Sequence, residues 1–248
     1  MPEVAVEVAV VGGTNILNCR VLDDVKVVEV DTPYGKAEIE IGEVKGAEIA
    51  LLRRHGRNNN IPPHRINHAA NFFALKHLGV RDVIGMGSVG CLKADVKLPA
   101  LAIPHDYIDF FSFATTVESE LVHVTPGFDE KLRGMLIDEA KKVCPKKGYN
   151  LLERAVYFQS RGPRLETKAE VRVISQWADC VGMTAGSEAT VAKELNLNYA
   201  SICTVDNYAN GIKGEAVDYR EIVRRAKVSA AICLEVVFNV VERILERS

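Results

Sequence analysis

Paired cysteines are missing from this sequence. Six cysteines stand singly at 19, 91, 144, 180, 203 and 233, with no Cys-x-x-Cys and no Cys/His cluster. That spacing offers no zinc framework and no redox motif, so a metal site is not expected. Most sit in apolar surroundings and read as buried small hydrophobes, as expected of a cytoplasmic, reducing location. An excess of one charge is missing too: 31 Lys and Arg face 33 Asp and Glu, for a formal net charge of -2. No nucleic-acid or anionic-membrane partner follows from such a balance. Any anion must be held by a few local cations. No apolar run reaches the roughly 18 residues that span a bilayer. The C-terminal apolar-rich stretch is interrupted by Glu235, Glu242 and Arg243, and the first residues, broken by Glu3 and Glu7, lack the basic start of an export signal. Linkers, low-complexity segments and internal repeats are also wanting, so the expectation is one domain over 1–248.

What is present is an alternation of strand and helix signals. Val4, Val6, Val8 and Val10 alternate up to Gly12-Gly13 and predict a strand over 3–11. Strands are expected around 25–30 and 37–41, joined as a hairpin through Pro33-Tyr34-Gly35, and at 48–52, 83–86, 100–103, 155–158 and 199–205. Helical spacing marks 66–78, 129–143, 168–177, 186–195 and 218–246. The pattern implies an α/β single domain with a mixed, largely parallel central sheet flanked by helices.

Four segments run from buried-type strand into glycine, hydroxyl or basic residues, where ligands collect in α/β sheets. Gly12-Gly13-Thr14-Asn15 is a tight turn or an anion contact. Arg53-Arg54-His55-Gly56-Arg57 is a solvated basic turn or a forked cationic grip on phosphate oxygens. Gly87-Ser88-Val89-Gly90 offers a hydroxyl and bare amides, or a plain turn. In 181–188 (Val-Gly-Met-Thr-Ala-Gly-Ser-Glu), Thr184 or Ser187 caps a helix, or the helix start binds an anion.

In order, these segments resemble the trimeric purine nucleoside phosphorylase family, in its methylthioadenosine and methylthioinosine phosphorylase branch. The resemblance is carried by Gly-Gly-Thr, Arg-His-Gly-Arg with Ile-Pro-Pro-His and Ile-Asn-x-x-Ala-Asn over 54–71, Gly-Ser-Val-Gly, Gly-Pro-Arg-Leu-Glu-Thr at 162–167, and Gly-Met-Thr-x-x-x-Glu at 182–188. It spans nearly the whole chain and departs from the family pattern at Asn15, Asn59 and Gly182. It implies that Thr14, Arg54, His55, Ser88 and Thr184 surround phosphate and that Met183 packs on the ribose. Leu165, Glu166, Asp206 and Asn207 fall in the base pocket, His123 reaches a neighbouring subunit's site, and Val217 or Tyr219 lies at the 5′ end. The implied assembly is a homotrimer or homohexamer.

The implied chemistry is phosphorolysis, with inorganic phosphate as co-substrate and no cofactor. A phosphate dianion beneath C1′ is both nucleophile and counter-charge, while Asp206 or Asn207 assists the leaving base. An amide at 207 can donate to O6, and Glu166 can accept from the N1–H of a 6-oxopurine, pointing to hypoxanthine or guanine. The rival reading makes Glu166 the cap of the helix near Thr167 and Asn207 a turn residue; a one-residue shift would make Asp206 the base carboxylate. The expectation is therefore 5′-methylthioinosine, inosine or guanosine as substrate, with 5′-methylthioadenosine the alternative. A nucleosidase would not need Arg54 and His55, and a non-catalytic nucleoside-binding protein is the remaining rival.

Overall fold

The computed structural model describes residues 6–16, 21–111, 113–119, 121–213 and 219–246. Its strands are β1 (Val8–Gly12), β2 (Asp23–Thr32), β3 (Gly35–Val44), β4 (Ala47–Arg53), β5 (Asp82–Cys91), β6 (Ala100–Asp109), β7 (Asn150–Gln159), β8 (Cys180–Gly182) and β9 (Asn198–Tyr208). Its α-helices are α1 (His68–His77), α2 (Glu130–Lys147), α3 (Lys168–Ile174), α4 (Ala185–Glu194) and α5 (Tyr219–Leu245).

The strands form one mixed sheet in the order β2-β3-β4-β1-β5-β8-β7-β6-β9, with β5 also pairing β9. That extra pairing closes β5, β8, β7, β6 and β9 into a ring. The hairpin β2–β3, with β4 and β1, extends from β5 as an open wing. Pairs β1–β4, β1–β5, β5–β9, β6–β7 and β7–β8 are parallel, and β2–β3, β3–β4, β5–β8 and β6–β9 are antiparallel. Short β8 completes the ring, although no strand was expected there: three residues are too few to show a period.

Alternation along β1 explains its central place. Ala9 and Val11 join the core on the side of α1 and α4, with Phe72, Leu75 and Val191. Val8 and Val10 join the opposite core with Leu136 of α2 and Val237 of α5. Both faces of the strand are thus covered, as a parallel strand requires. Helix α5 turns Ala226, Ala230, Cys233, Val237 and Val241 inward, near the stripe its sequence predicts. Local chemistry sets the helix starts. Asn67 accepts from the Ala70 amide at 3.0 Å, Asp129 accepts from Leu132 at 2.8 Å, and Thr167 and Glu170 form a capping box.

Cys91, Cys144, Cys180, Cys203 and Cys233 are buried and free, and Cys19 lies outside the described residues. Among the described residues no helix is long and apolar enough to cross a membrane, and no group of His, Cys, Asp and Glu is arranged to hold a metal ion.

Candidate active site

Parallel strands β4, β1, β5 and β9 lie side by side, so their C-terminal ends share one edge of the sheet. A cleft of about 740 Å³ opens there. Its walls are Thr14 after β1, Arg54 and His55 after β4, and Ser88, Val89 and Gly90 at the end of β5. Val181 and Gly182 of β8 with Met183 and Thr184, Pro163, Leu165 and Glu166 from the loop before α3, and Asn207, Ala209 and Asn210 at the end of β9 complete them. Asn59 to Pro63 and Ile222 of α5 close the remaining sides.

The five-residue basic segment divides. Arg53 turns back, with Nε 3.0 Å from Glu40 Oε1 and Nη1 donating to the Ile16 carbonyl at 2.9 Å. Arg57 also faces β3, 3.2 Å from Glu40 and 3.7 Å from Glu38. Of the three arginines only Arg54 lines the cleft, so the segment is not one dense cationic patch. Arg54 is 3% exposed, and its Nη atoms donate to the carbonyls of Met86 and Val11 at 2.9 Å each. Its Nε lies 2.7 Å from Oε1 of Glu188, a fully buried side chain of α4 whose Oε2 accepts from the Tyr199 hydroxyl at 2.6 Å. Burial pushes the Glu188 carboxyl up, and Arg54 and Tyr199 pull against it. The guanidinium therefore reaches the cleft already sharing its charge with a carboxylate.

Gly13 lets the anion side assemble. A Cβ there would lie 2.7 Å from Arg54 Nη1 and 3.5 Å from His55 Nε2, so the bare backbone is what permits both side chains to converge on Thr14. His55 Nδ1 is 2.8 Å from the Ile61 carbonyl. A carbonyl only accepts, so Nδ1 carries the proton and neutral His55 presents the lone pair of Nε2. Burial first, and then Arg54, lower its pKa, while the Ile61 bond opposes them.

Helix α4 begins without a side-chain cap from its own N-cap residue, Thr184. The Tyr157 hydroxyl accepts from the amides of Thr184 and Ala185 at 3.1 and 3.4 Å, and Gln159 Oε1 accepts from Gly186 and Ser187 at 2.7 and 3.2 Å. Two β7 side chains thus occupy the amides that would otherwise hold an anion. Neither Thr184 nor Ser187 caps the helix, and the helix start is not itself an anion site. Gly182 makes room for this, since a Cβ there would stand 2.3 Å from the Tyr157 hydroxyl.

Glu166 lines the cleft, and the α3 cap comes from Thr167 and Glu170 instead. Asn210 donates from Nδ2 to the Glu166 carbonyl at 3.3 Å, tying that loop to β9. Asn207 lines the cleft and donates from its own amide to the Tyr208 carbonyl at 3.0 Å. Asp206 does not line it. The β5–β9 register passes from Val89↔Val205 to Gly90↔Asn207, so Asp206 is the extra residue of a bulge, buried behind the wall. Its expected place in the base pocket is corrected accordingly. His123 is exposed, away from the cleft walls. Val217 and the Tyr219 side chain lie outside the described residues.

A description of the Phosphorylase superfamily matches residues 7–245. The chain belongs to the phosphorylase superfamily. Within it, the chain is similar to the probable 6-oxopurine nucleoside phosphorylase of Archaeoglobus fulgidus, 56% identical over 96% of this chain and 97% of that protein. It is similar to the probable S-methyl-5′-thioinosine phosphorylase of Methanocaldococcus jannaschii, at 37% identity over 93% of this chain and 90% of the other. Among superfamily structures, methylthioadenosine phosphorylase from Schistosoma mansoni in complex with adenine superposes with a TM-score of 0.87 at 26% identity, covering 96% of this chain and 91% of that one.

Glu188, Tyr199, Tyr157 and Gln159 support the site, and their roles were not expected from sequence. Only Glu188 lay within a motif read there, and its Arg54 partner is 134 positions away.

Proposed function

We propose that the protein cleaves a 6-oxopurine nucleoside with inorganic phosphate, releasing the base and a pentose 1-phosphate. The observation that carries this reading is the convergence in one cleft of Thr14, Arg54, His55, Ser88 and Thr184 with Leu165, Glu166, Met183 and Asn207. Hydroxyls, a guanidinium and an imidazole suit a tetrahedral anion; a carboxylate and an amide suit a purine edge. The names of the relatives in A. fulgidus and M. jannaschii point to the same substrates.

In this reading phosphate lies between Thr14, Ser88 and Thr184, with Arg54 at its side. A monohydrogen phosphate donates its O–H to Nε2 of His55, leaving an unprotonated oxygen for C1′. As the glycosidic bond stretches, positive charge grows at C1′ and negative charge on the purine. The dianion balances the first, and the Asn207 amide, donating at the O6/N7 edge, stabilises the second. Glu166 accepts from N1–H, a proton that adenine lacks. Met183 supports the ribose, and apolar Ile222 at the α5 end of the cleft favours a 5′-methylthio group, making 5′-methylthioinosine the preferred substrate. No metal and no organic cofactor takes part. Exposed Phe110, Phe111, Phe113 and Trp177 support self-association, here as a homotrimer or homohexamer, and the buried free cysteines fit the cytoplasm.

The test is to incubate the protein with 5′-methylthioinosine or 5′-methylthioadenosine, with and without phosphate, and follow base release. Phosphate-dependent hypoxanthine release well ahead of adenine is expected. Faster adenine release overturns the base reading, and release without phosphate makes the enzyme a nucleosidase.

A further inference from the structure

Two cysteines far apart in the chain, with no part in the reaction above, meet across the sheet. In the antiparallel pair β5–β8, Cys91 stands directly opposite Cys180, and Gly90 opposite Val181. The next amide along β5, that of Leu92, donates to the Asp179 carbonyl at 2.9 Å. Hydrogen-bonded and non-hydrogen-bonded pairs alternate along an antiparallel ladder, so the bond at Leu92 makes Cys91 and Cys180 a non-hydrogen-bonded pair. Such a pair holds its Cα atoms about 4.5 Å apart, with the side chains at their closest. A disulfide spans roughly 4.4–6.8 Å between Cα atoms, so the backbone already stands within its range. Side chains directly opposite share one face of the sheet, and both thiols belong to the same core cluster, with Tyr157 and Cys203.

No other described cysteine has a cysteine opposite it in the sheet. Cys203 stands opposite Gly87 on β5 and Ala102 on β6, and Cys144 on α2 and Cys233 on α5 lie in the opposite core. Cys91 and Cys180 are both free thiols. Cys91 Sγ donates to the Lys93 carbonyl at 3.2 Å, and Cys180 Sγ to the Val156 carbonyl at 4.0 Å. Turning the two side chains toward each other exchanges these weak bonds for one S–S bond.

We infer that Cys91 and Cys180 are a redox pair: a dithiol in reducing surroundings that a small disulfide oxidant closes into a cross-strand disulfide joining β5 to β8. The step is two thiol–disulfide exchanges. The thiolate of one cysteine attacks a sulfur of the oxidant and expels one thiolate; the thiolate of the other then attacks the protein sulfur of the mixed disulfide and expels the second. Two protein thiols are oxidised, the S–S bond of the oxidant is reduced to two thiols, and the two protons pass from the protein to the expelled thiolates. Both cysteines are buried, and burial pushes both thiols up, so exchange requires β8 to part from β5. Strand β8 is three residues long and meets β5 at two positions, which makes it a weak point of the ring. The link would fasten two walls of the cleft, since Ser88 to Gly90 precede Cys91 on β5, and Met183 and Thr184 follow β8.

Oxidised glutathione is the probe. The native protein is incubated with it at graded temperatures below melting. A second sample is refolded from urea in mixed oxidised and reduced glutathione, where burial does not limit access. Free thiols are then alkylated, and non-reducing peptide mapping by mass spectrometry reads the linkage. The expected result is one peptide pair joined through Cys91 and Cys180, with four of the six cysteines alkylated. The melting temperature should rise by about 5–10 °C and fall back on reduction with dithiothreitol. Cys180→Ser should lose both the link and the rise, and Cys203→Ser should keep both. Should Cys180→Ser not fold, Cys91→Ser takes its place, and the map of the native chain stands without either. Six alkylated cysteines after oxidative refolding, a link made through Cys203 instead, or glutathione adducts that never resolve into a link each overturn the inference.

Discussion

Replacing Glu188 by glutamine keeps the shape of the side chain and removes the charge opposite Arg54. The guanidinium would still donate to the carbonyls of Met86 and Val11. Its Nε, 2.7 Å from Glu188 Oε1, would lose the carboxylate, and the Tyr199 hydroxyl would lose a charged acceptor. Arg54 is 3% exposed and Glu188 fully buried, so water cannot replace the lost charge. Removing one member of such a pair costs about 3–5 kcal/mol, because the other is left buried and uncompensated. An anion in the cleft restores part of this. The variant should therefore bind phosphate more tightly than the native chain, and saturating phosphate at about 100 times Kd should return about 2.7 kcal/mol of stability. Urea unfolding at matched protein concentration, with and without phosphate, measures both effects. Arg54→Met/Glu188→Met should recover much of the stability while losing phosphate-dependent turnover, since it leaves no buried charge. A loss below about 1 kcal/mol for Glu188→Gln, the range of a solvent-exposed pair, would refute the argument, as would phosphate binding no tighter than native.

His68 is buried, and burial, followed by Arg54 and His55, lowers its pKa to about 3. Unfolding restores an ordinary imidazole, so the unfolded chain binds the extra proton below about pH 6.5 and stability falls as the pH drops through that window toward 3. Between pH 7 and pH 5 this site should cost about 2 kcal/mol, and His68→Gln should flatten the urea-measured pH profile by that amount; an unchanged slope would mean that His68 titrates normally in the folded chain. Tyr157→Phe leaves the amides of Thr184 and Ala185 without their acceptor, at about 1–3 kcal/mol. Thermal unfolding should register that loss, and steady-state kinetics should show a raised KM for phosphate through a loosened Thr184; an unaltered KM would detach the α4 cap from the anion side. Gly182→Ala places a methyl 2.3 Å from the Tyr157 hydroxyl, and should cost about 1–3 kcal/mol by overpacking. A melting temperature equal to the native one would show that the β7 ring can yield.

The two halves of the site were unequally legible in the sequence, for a physical reason. Groups that face a ligand cluster where buried strands stop, and a strand end is a local event: apolar alternation, then glycine, then a hydroxyl or a cation. Thr14, Arg54, Ser88 and Thr184, which the structure places along the cleft, could be read that way as strand-end residues, with the α/β class and most of the elements. Groups that hold those residues in place are chosen by distance in space. Nothing near Arg54 in the chain announces Glu188, and nothing near Thr184 announces Tyr157, an ordinary member of the expected strand over 155–158, or Gln159 just past its end. The same limit explains the basic segment. The five residues read as one cationic surface, yet Glu40 on a neighbouring strand draws Arg53 and Arg57 away and leaves Arg54 and His55 in the cleft. It explains Asp206 as well, since a bulge displaces by one residue the alternation that sequence reading relies on. The motif supplies the atoms that line the cleft. Pairings more than 10 positions apart, such as Arg53 with Glu40 at 13 positions and Arg54 with Glu188 at 134, decide how much charge those atoms still carry. Selectivity between anions is accordingly expected to follow the buried partners more closely than the motif itself.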